Sequence, residues 1–270
     1  MANVLSAEQL VEYESKGIIF PIPVFCAAEV DEYRRLFEDL VVRLERDYNN
    51  LPLRQPHLHF RWAYNLASDS RILDIVEDVI GPNILIHTSS VFAKRANDPA
   101  WTPWHQDGHY WGLSLPRLVS AWIALSESNL ENGCVRVVPA THHARLPHKT
   151  LRTGDSMLAS GLRLESEPDE STVLNVILSG GAISLHHVNL VHGSGPNHSD
   201  KPRIGFAVRY VAPEVSQELE HHRVALVRGR DDHHNYSVVS EPPSSKIEES
   251  IESLKEIDDW IERVRFAIPQ

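Results

Sequence analysis

The hydrophobic period of this chain changes once, near residue 83, and that change limits the folds open to it. Before it, apolar residues recur at helical spacing; after it come short β-branched and aromatic runs separated by turn signals. Ser6-Ala7-Glu8-Gln9 is a capping-box pattern that starts a polar helix, with Gly17 as its stop. Val30, Tyr33, Leu36, Leu40, Val41 and Leu44 predict a second helix from Ala27 to about Tyr48. A third runs from Asp69 to Ile80 and ends at Gly81-Pro82. Between the first two, residues 18–25 (IIFPIPVF) read as a strand interrupted by Pro21 and Pro23, which places it at a sheet edge.

Beyond the change, residues 84–95, 118–127, 134–139, 181–187 and 204–213 have strand composition. Glu131-Asn132-Gly133 and Gly193-Ser194-Gly195-Pro196-Asn197 supply turns between them. Residues 142–172 are polar and without period, which suits a long excursion or lid. Ile247, Ile251, Leu254, Ile257, Ile261 and Val264 predict a surface-packed helix over 246–265. Helices first, strands in the middle and a helix last predict a mainly β fold with flanking helices, a sandwich or barrel. No hydrophilic linker divides the chain, so residues 1–270 read as a single domain.

At 42% apolar and 23% charged residues the chain is compositionally globular, which excludes wholesale disorder. A net charge of −11 disfavours a nucleic-acid or anionic-membrane partner, since either needs a basic face. No apolar run approaches the roughly 20 residues that span a bilayer. The opening MANVLSAEQL lacks a signal pattern, so a soluble cytoplasmic protein is expected. Two cysteines, Cys26 and Cys134, support neither a disulfide framework nor a four-cysteine zinc site, and Cys134 reads as a buried strand residue.

The chain has 16 histidines, and eight of them stand in adjacent pairs. Most are read as solvated surface groups, but one stands in a richer setting. His105-Gln106-Asp107 lies inside an eleven-residue stretch holding Trp101, Trp104, Tyr110 and Trp111, four of the thirteen Trp and Tyr residues. On an extended strand or its exit, residues i and i+2 face the same side, so both heads reach one ion. The aromatics read as core at a strand end, as the apolar wall of a substrate cavity, or as both, since pocket walls are also core. A third ligand comes from elsewhere: His192 ends a strand-like run before the Gly-rich turn. Two histidines and one carboxylate form the facial triad of non-haem Fe(II) oxygenases, and the same donors suit catalytic zinc. Arg203, eleven residues on, would return beside His192, and its planar fork suits the distal carboxylate of a chelating keto acid.

These motifs, in this order, carry a resemblance. Residues 104–113 (WHQDGHYWGL), 119–125 (VSAWIAL), 131–143 (ENGCVRVVPATHH) and 192–197 (HGSGPN) with Arg203 resemble the phytanoyl-CoA dioxygenase family. The likeness covers roughly residues 10–215. It implies a double-stranded β-helix, a jelly-roll, cupin-like barrel, using Fe(II) with 2-oxoglutarate and O₂ as cosubstrates. It also implies that His105, Asp107 and His192 hold the iron and that Arg203 and Ser194 hold the keto acid's distal carboxylate. Trp122 and Lys94 fall near positions that contact the cosubstrate in family members.

Two departures stand out. Pro139-Ala140-Thr141-His142 replaces the usual P-G-S-H and loses its glycine, and residues 216–245 lie outside the shared core, where a subfamily lid is expected. Halogenases resembling this family lack the triad carboxylate; Asp107 is retained here, which favours hydroxylation with release of succinate and CO₂. The resemblance does not transfer the substrate. A small metabolite or natural-product intermediate is expected, with His109, Tyr110, Trp111 and Arg145 as candidate contacts. A zinc-dependent hydrolase, which would not explain Arg203, and a non-catalytic metal- or ligand-binding barrel, against which the three intact ligand candidates argue, are the alternatives. Oligomeric state is not legible in the sequence.

Overall fold

The structure is a computed structural model and describes residues 4–49, 51–109, 111–151, 154–158, 160–218, 223–239 and 245–256. Four helices come early: α1 (Ala7–Lys16), α2 (Ala27–Asp47), α3 (Arg61–Ala67) and α4 (Ser70–Ile80), with β1 (Ile18–Pro23) between the first two. The Ser6 hydroxyl accepts from Gln9 N–H and the Gln9 side chain accepts from Ser6 N–H, closing the expected capping box. Gly17 ends α1 in the left-handed region at φ 77°. The short α3 has no sequence signature of its own, because seven residues offer barely two turns of periodicity.

Twelve strands follow: β2 (Ile84–Lys94), β3 (Thr102–His105), β4 (Leu118–Ala124), β5 (Val135–Val138), β6 (His148–Thr150), β7 (Leu162–Leu164), β8 (Leu174–Val176), β9 (Ala182–His187), β10 (Val191–Ser194), β11 (Arg203–Val211), β12 (Arg223–Arg228) and β13 (Ser237–Val239). They form a seven-stranded sheet in the order β1-β9-β4-β11-β2-β12-β13, a four-stranded sheet β3-β10-β5-β8 and the hairpin β6-β7. All pairings are antiparallel except β12 with β13. The result is the expected jelly-roll flanked by helices. β1 lies at a sheet edge, where Pro21 and Pro23 break no ladder on a second side.

Strand alternation decides what faces what. Along β11, Ile204, Phe206, Val208 and Tyr210 join the core under α2, α3 and α4, together with Val119, Ala121 and Ile123 of β4. The opposite face of the large sheet turns inward to the small sheet, where Trp122, Ala124, Ala182 and Ala207 pack with Val135, Val137, Val176 and Leu190. Arg203, Gly205, Ala207 and Arg209 are therefore the inward set of β11.

The segment 142–172, read as one long excursion, carries β6, β7 and β8. These strands are three residues each, too short for any alternation to register. Within 216–245, expected as a lid, β12 pairs with β2 and extends the large sheet. The C-terminal helix is described over 247–256, and the rest of its expected span lies outside the described residues. No helix among the described residues is long and apolar enough to cross a membrane.

Candidate active site

His105 is the last residue of β3, and Asp107 opens a 3₁₀ turn over Asp107–His109. This turn explains the two-residue spacing: it aims both heads inward while Gln106 between them points away. Gln106 is buried and ties the site to two loops. Its Nε2 donates to the carbonyls of Asn189 at 2.5 Å and Ala144 at 2.8 Å, and its Oε1 accepts from Leu146 N–H. Gly108 N–H donates to Val188 O, which fixes the turn from the other side.

The third residue comes from β10, directly opposite β3. His192 is in register with His105, and their ring centroids are 4.1 Å apart. The Gly193-Ser194 pair expected in a turn is instead strand, continuing the ladder with β5. Each imidazole is oriented by backbone: His105 Nδ1 donates to Pro103 O at 2.8 Å, and His192 Nδ1 donates to Leu190 O at 3.0 Å. The Nε2 lone pairs are thereby left for an ion. One ligand atom from each of His105, Asp107 and His192 lies within 4.8 Å of the others, and all three residues are buried. That donor set fits a divalent metal with open positions.

The charges agree with ligation. Burial, then His105, drives His192 well below its ordinary value, so the imidazole is neutral. Burial alone would raise Asp107, but the Arg209 guanidinium and the neighbouring histidines outweigh it and hold the carboxyl well below the usual range. Arg209 Nε donates to Asp107 Oδ2 at 3.1 Å, while Oδ1 lies 3.4 Å from His105 Nε2.

Across the barrel, a cavity is lined by His105, His192, Ser194, Trp122, Arg203 and Arg209. Arg203 reaches it from the large sheet, whereas His192 reaches it from the small one. The two are thus brought together across the barrel, not as a hairpin and its return strand. Arg203 is 1% exposed, and its Nε and Nη2 have no hydrogen-bond partner among the described residues. Burial lowers it to about 10, so it stays cationic at neutral pH. A buried, unpaired guanidinium is costly unless an anion meets it. Its guanidinium carbon lies 5.5 Å from the centroid of Trp122, and the indole occupies the place of a missing side chain at Gly205.

Lys94 is also buried, in register with Arg203 on the neighbouring strand. It does not line the cavity: its ammonium donates to Ser194 Oγ at 2.5 Å and to the Gly195 carbonyl. Burial and then Arg203 push Lys94 down to about 7. Ser194 Oγ in turn donates to Gly133 O at 2.9 Å.

His109, Trp111 and Arg145 line a second cavity with Glu218, beginning two residues past Asp107. Tyr110 lies outside the described residues. Trp101 and Trp104 belong elsewhere. Trp104 packs with Val138, Val191 and Leu164 under Arg136, and Trp101 bridges to Ser156 beneath Arg163. Those two pack in the small sheet and beside the β6-β7 hairpin, and neither lines the two cavities described above. Sequence reasoning missed Arg209, Gln106 and His186, the last of which lines the first cavity. Arg209 was recoverable, since it repeats the inward phase of Arg203 along β11.

Comparison with known proteins accords with this architecture. The profile of the family described as phytanoyl-CoA dioxygenase (PhyH) matches residues 13–205, a span that contains all three triad residues and Arg203. A probable alpha-ketoglutarate-dependent hypophosphite dioxygenase of Stutzerimonas stutzeri is 29% identical over 169 residues; the match covers 60% of this chain and 57% of that relative's length. The peroxisomal phytanoyl-CoA dioxygenase of Rattus norvegicus is 31% identical over 234 residues, 77% of this chain and 69% of that one. Among solved structures, the non-heme monooxygenase ThoJ in its apo form superposes with a TM-score of 0.80 at 25% identity, covering 92% of this chain and 94% of its own. With the profile spanning most of the jelly-roll and its site, the chain belongs to the phytanoyl-CoA dioxygenase family of Fe(II)- and 2-oxoglutarate-dependent oxygenases.

Proposed function

We propose that the protein is a non-haem Fe(II)- and 2-oxoglutarate-dependent dioxygenase that hydroxylates an unactivated C–H bond of a small metabolite, releasing succinate and CO₂. The observation that carries this reading is Arg203. A buried guanidinium with unpaired nitrogens faces the same cavity as His105 and His192. A zinc hydrolase has no use for a second, enclosed anion site there, and a chelating keto acid with a distal carboxylate does. In this reading His105, Asp107 and His192 are the metal ligands, Arg203 and Ser194 bind the distal carboxylate, Trp122 braces Arg203, and Lys94 orients Ser194. Bound iron supplies the oxidising chemistry, using O₂ and the keto acid.

The chain's own residues set the rest. Arg209 leaves one Asp107 oxygen for the ion, and Gln106 keeps the turn between the first two ligands from shifting. The packed inner faces of both sheets exclude bulk water from the cosubstrate pocket. Retention of Asp107 favours hydroxylation over halogenation. His109, Trp111 and Arg145 form the substrate side, with Tyr110 between them in sequence. An arginine and a glutamate on one cavity suit a small polar molecule, and the relative named for hypophosphite accords with that class.

Anaerobic addition of Fe(II) and 2-oxoglutarate to metal-free protein tests the reading. A weak visible charge-transfer band is expected, lost in Asp107→Ala and Arg203→Ala. Iron bound without such a band would overturn it and return zinc hydrolysis or simple ligand binding to the front.

A further inference from the structure

His186 is the one imidazole of the cosubstrate cavity outside the triad. It is 3% exposed, its ring centroid lies 4.9 Å from that of His192, and neither ring nitrogen has a hydrogen-bond partner among the described residues. A buried imidazole with both nitrogens idle is unusual, because desolvating them gains nothing without a partner. The residue is not isolated in this. Ser184, the preceding inward position of β9, and Ser120, directly across from His186 on β4, also bury hydroxyls with no partner among the described residues.

The other inward positions nearby, Ala182, Ala124 and Trp122, are apolar and packed. His186 itself lines the cavity, and the two serines are its unsatisfied neighbours on the same sheet face, which marks this part of the wall as a place for a polar ligand. Strand register places the patch. Arg209 aligns with Ser120, and Ser120 aligns with His186, so the three form one row across β11, β4 and β9. That row is the one whose arginine holds Asp107, and Arg203 stands three inward positions away along β11. The cavity therefore has an unpaired guanidinium at its Arg203 end, and beside the triad it has His186 next to the Arg209–Asp107 ion pair.

We propose that His186 is a further cosubstrate-binding residue, whose ring N–H hydrogen-bonds the end of the 2-oxo acid nearest the triad. This rests on the Fe(II)/2-oxoglutarate reading above. An imidazole N–H is a donor that a keto-acid carboxylate accepts from, and both His186 nitrogens are unengaged among the described residues. His186 lies outside the three residues whose ligand atoms converge, so its contribution is to the keto acid and not to the metal.

The test separates these. Metal affinity is measured first with Fe(II) alone under anaerobic conditions. 2-Oxoglutarate is then titrated into the iron-loaded protein, following the charge-transfer band. His186→Phe keeps a ring and removes both nitrogens; it should weaken 2-oxoglutarate about tenfold or more and shift the band maximum, with Fe(II) affinity unchanged. His186→Gln restores a donor and should recover part of both. A wild-type band that His186→Phe leaves unaltered in position and affinity overturns the inference alone, and so does a parallel loss of Fe(II) affinity. No band in the wild type overturns the iron–keto-acid reading and this inference with it. Should His186→Phe fail to fold, nitrogen-15 spectra of histidine-labelled wild type loaded with zinc give an independent readout. A new, slowly exchanging His186 N–H on adding 2-oxoglutarate is expected, and its absence overturns the proposal.

Discussion

Arg209 Nε sits 3.1 Å from Oδ2 of Asp107, the carboxylate oxygen other than the one beside His105. Both side chains are buried, so this ion pair is shielded from the solvent that makes exposed pairs weak. It fixes the orientation of the Asp107 carboxylate, the proposed metal ligand, from behind. Arg209→Met should therefore lower Fe(II) affinity by about ten- to a hundredfold, as loss of an orienting partner commonly does. Arg209→Lys, which keeps the charge but not the fork, should fall between. Calorimetric titration of metal into metal-free protein reads this directly. Unchanged affinity in Arg209→Met would show that the 3₁₀ turn alone orients Asp107.

Gly205 and Trp122 make a second coupled pair. A Cβ at Gly205 would lie 1.9 Å from a ring atom of Trp122, so no side chain fits without displacing the indole. The Arg203 guanidinium carbon lies over the same indole, 5.5 Å from its centroid. Gly205→Ala should cost about 1–3 kcal/mol by overpacking and weaken 2-oxoglutarate by displacing the guanidinium. Denaturant melts and keto-acid titration of the charge-transfer band measure the two effects. A stability loss with unaltered keto-acid affinity would show that Arg203 holds its place without Trp122.

The mainly β core and the His105–Asp107 pair were legible from local pattern, whereas the jelly-roll and the full ligand set with Arg203 came with the family resemblance. His105 and Asp107 share one turn, and the long strands β2, β4 and β11 carry enough β-branched residues to be read. Other features depend on pairings that no local pattern encodes. β10 has four residues, and its strand identity comes from register with β3 and β5. Both faces of β4 and β9 are buried, so their sequences lack the polar alternation that would have separated His186 from the helix-facing core. The aromatic cluster around His105 divides between the two readings left open for it, with Trp111 lining a cavity and Trp101 and Trp104 packed. Trp101 and Trp104 precede the site in sequence, but they pack against the small sheet and its hairpin.

Ala140 gives a prediction from a sequence departure. It stands where the resemblance expects glycine, and its backbone is left-handed at φ 64°. A Cβ there costs roughly 1 kcal/mol relative to glycine. The turn holds because Ala140 N–H donates to Lys16 O and Thr141 Oγ1 donates to Val138 O. Ala140→Gly should stabilise the fold by about 0.5–1 kcal/mol, less the added entropy of the unfolded chain. Chemical denaturation with an unchanged m-value checks this; a destabilised variant would mean the methyl contributes packing that outweighs the strain.

His59 sets an acid limit on stability. It is fully buried, its Nδ1 lies 2.9 Å from Ser253 Oγ of the C-terminal helix, and its Nε2 has no partner among the described residues. Burial, then the nearby Arg223, pushes it down to about 4 from an ordinary value of 6.5. Between those two values the unfolded chain binds a proton that the folded chain refuses, so stability falls as pH drops through that window and is unaffected above it. A shift of that size corresponds to roughly 3 kcal/mol at its limit. His59→Phe should flatten the decline between about pH 6.5 and 4, most visibly in the docking of the helix over 247–256. Denaturant melts at intervals across that window measure the slope, and an unaltered slope in His59→Phe would assign the acid sensitivity to the other buried imidazoles.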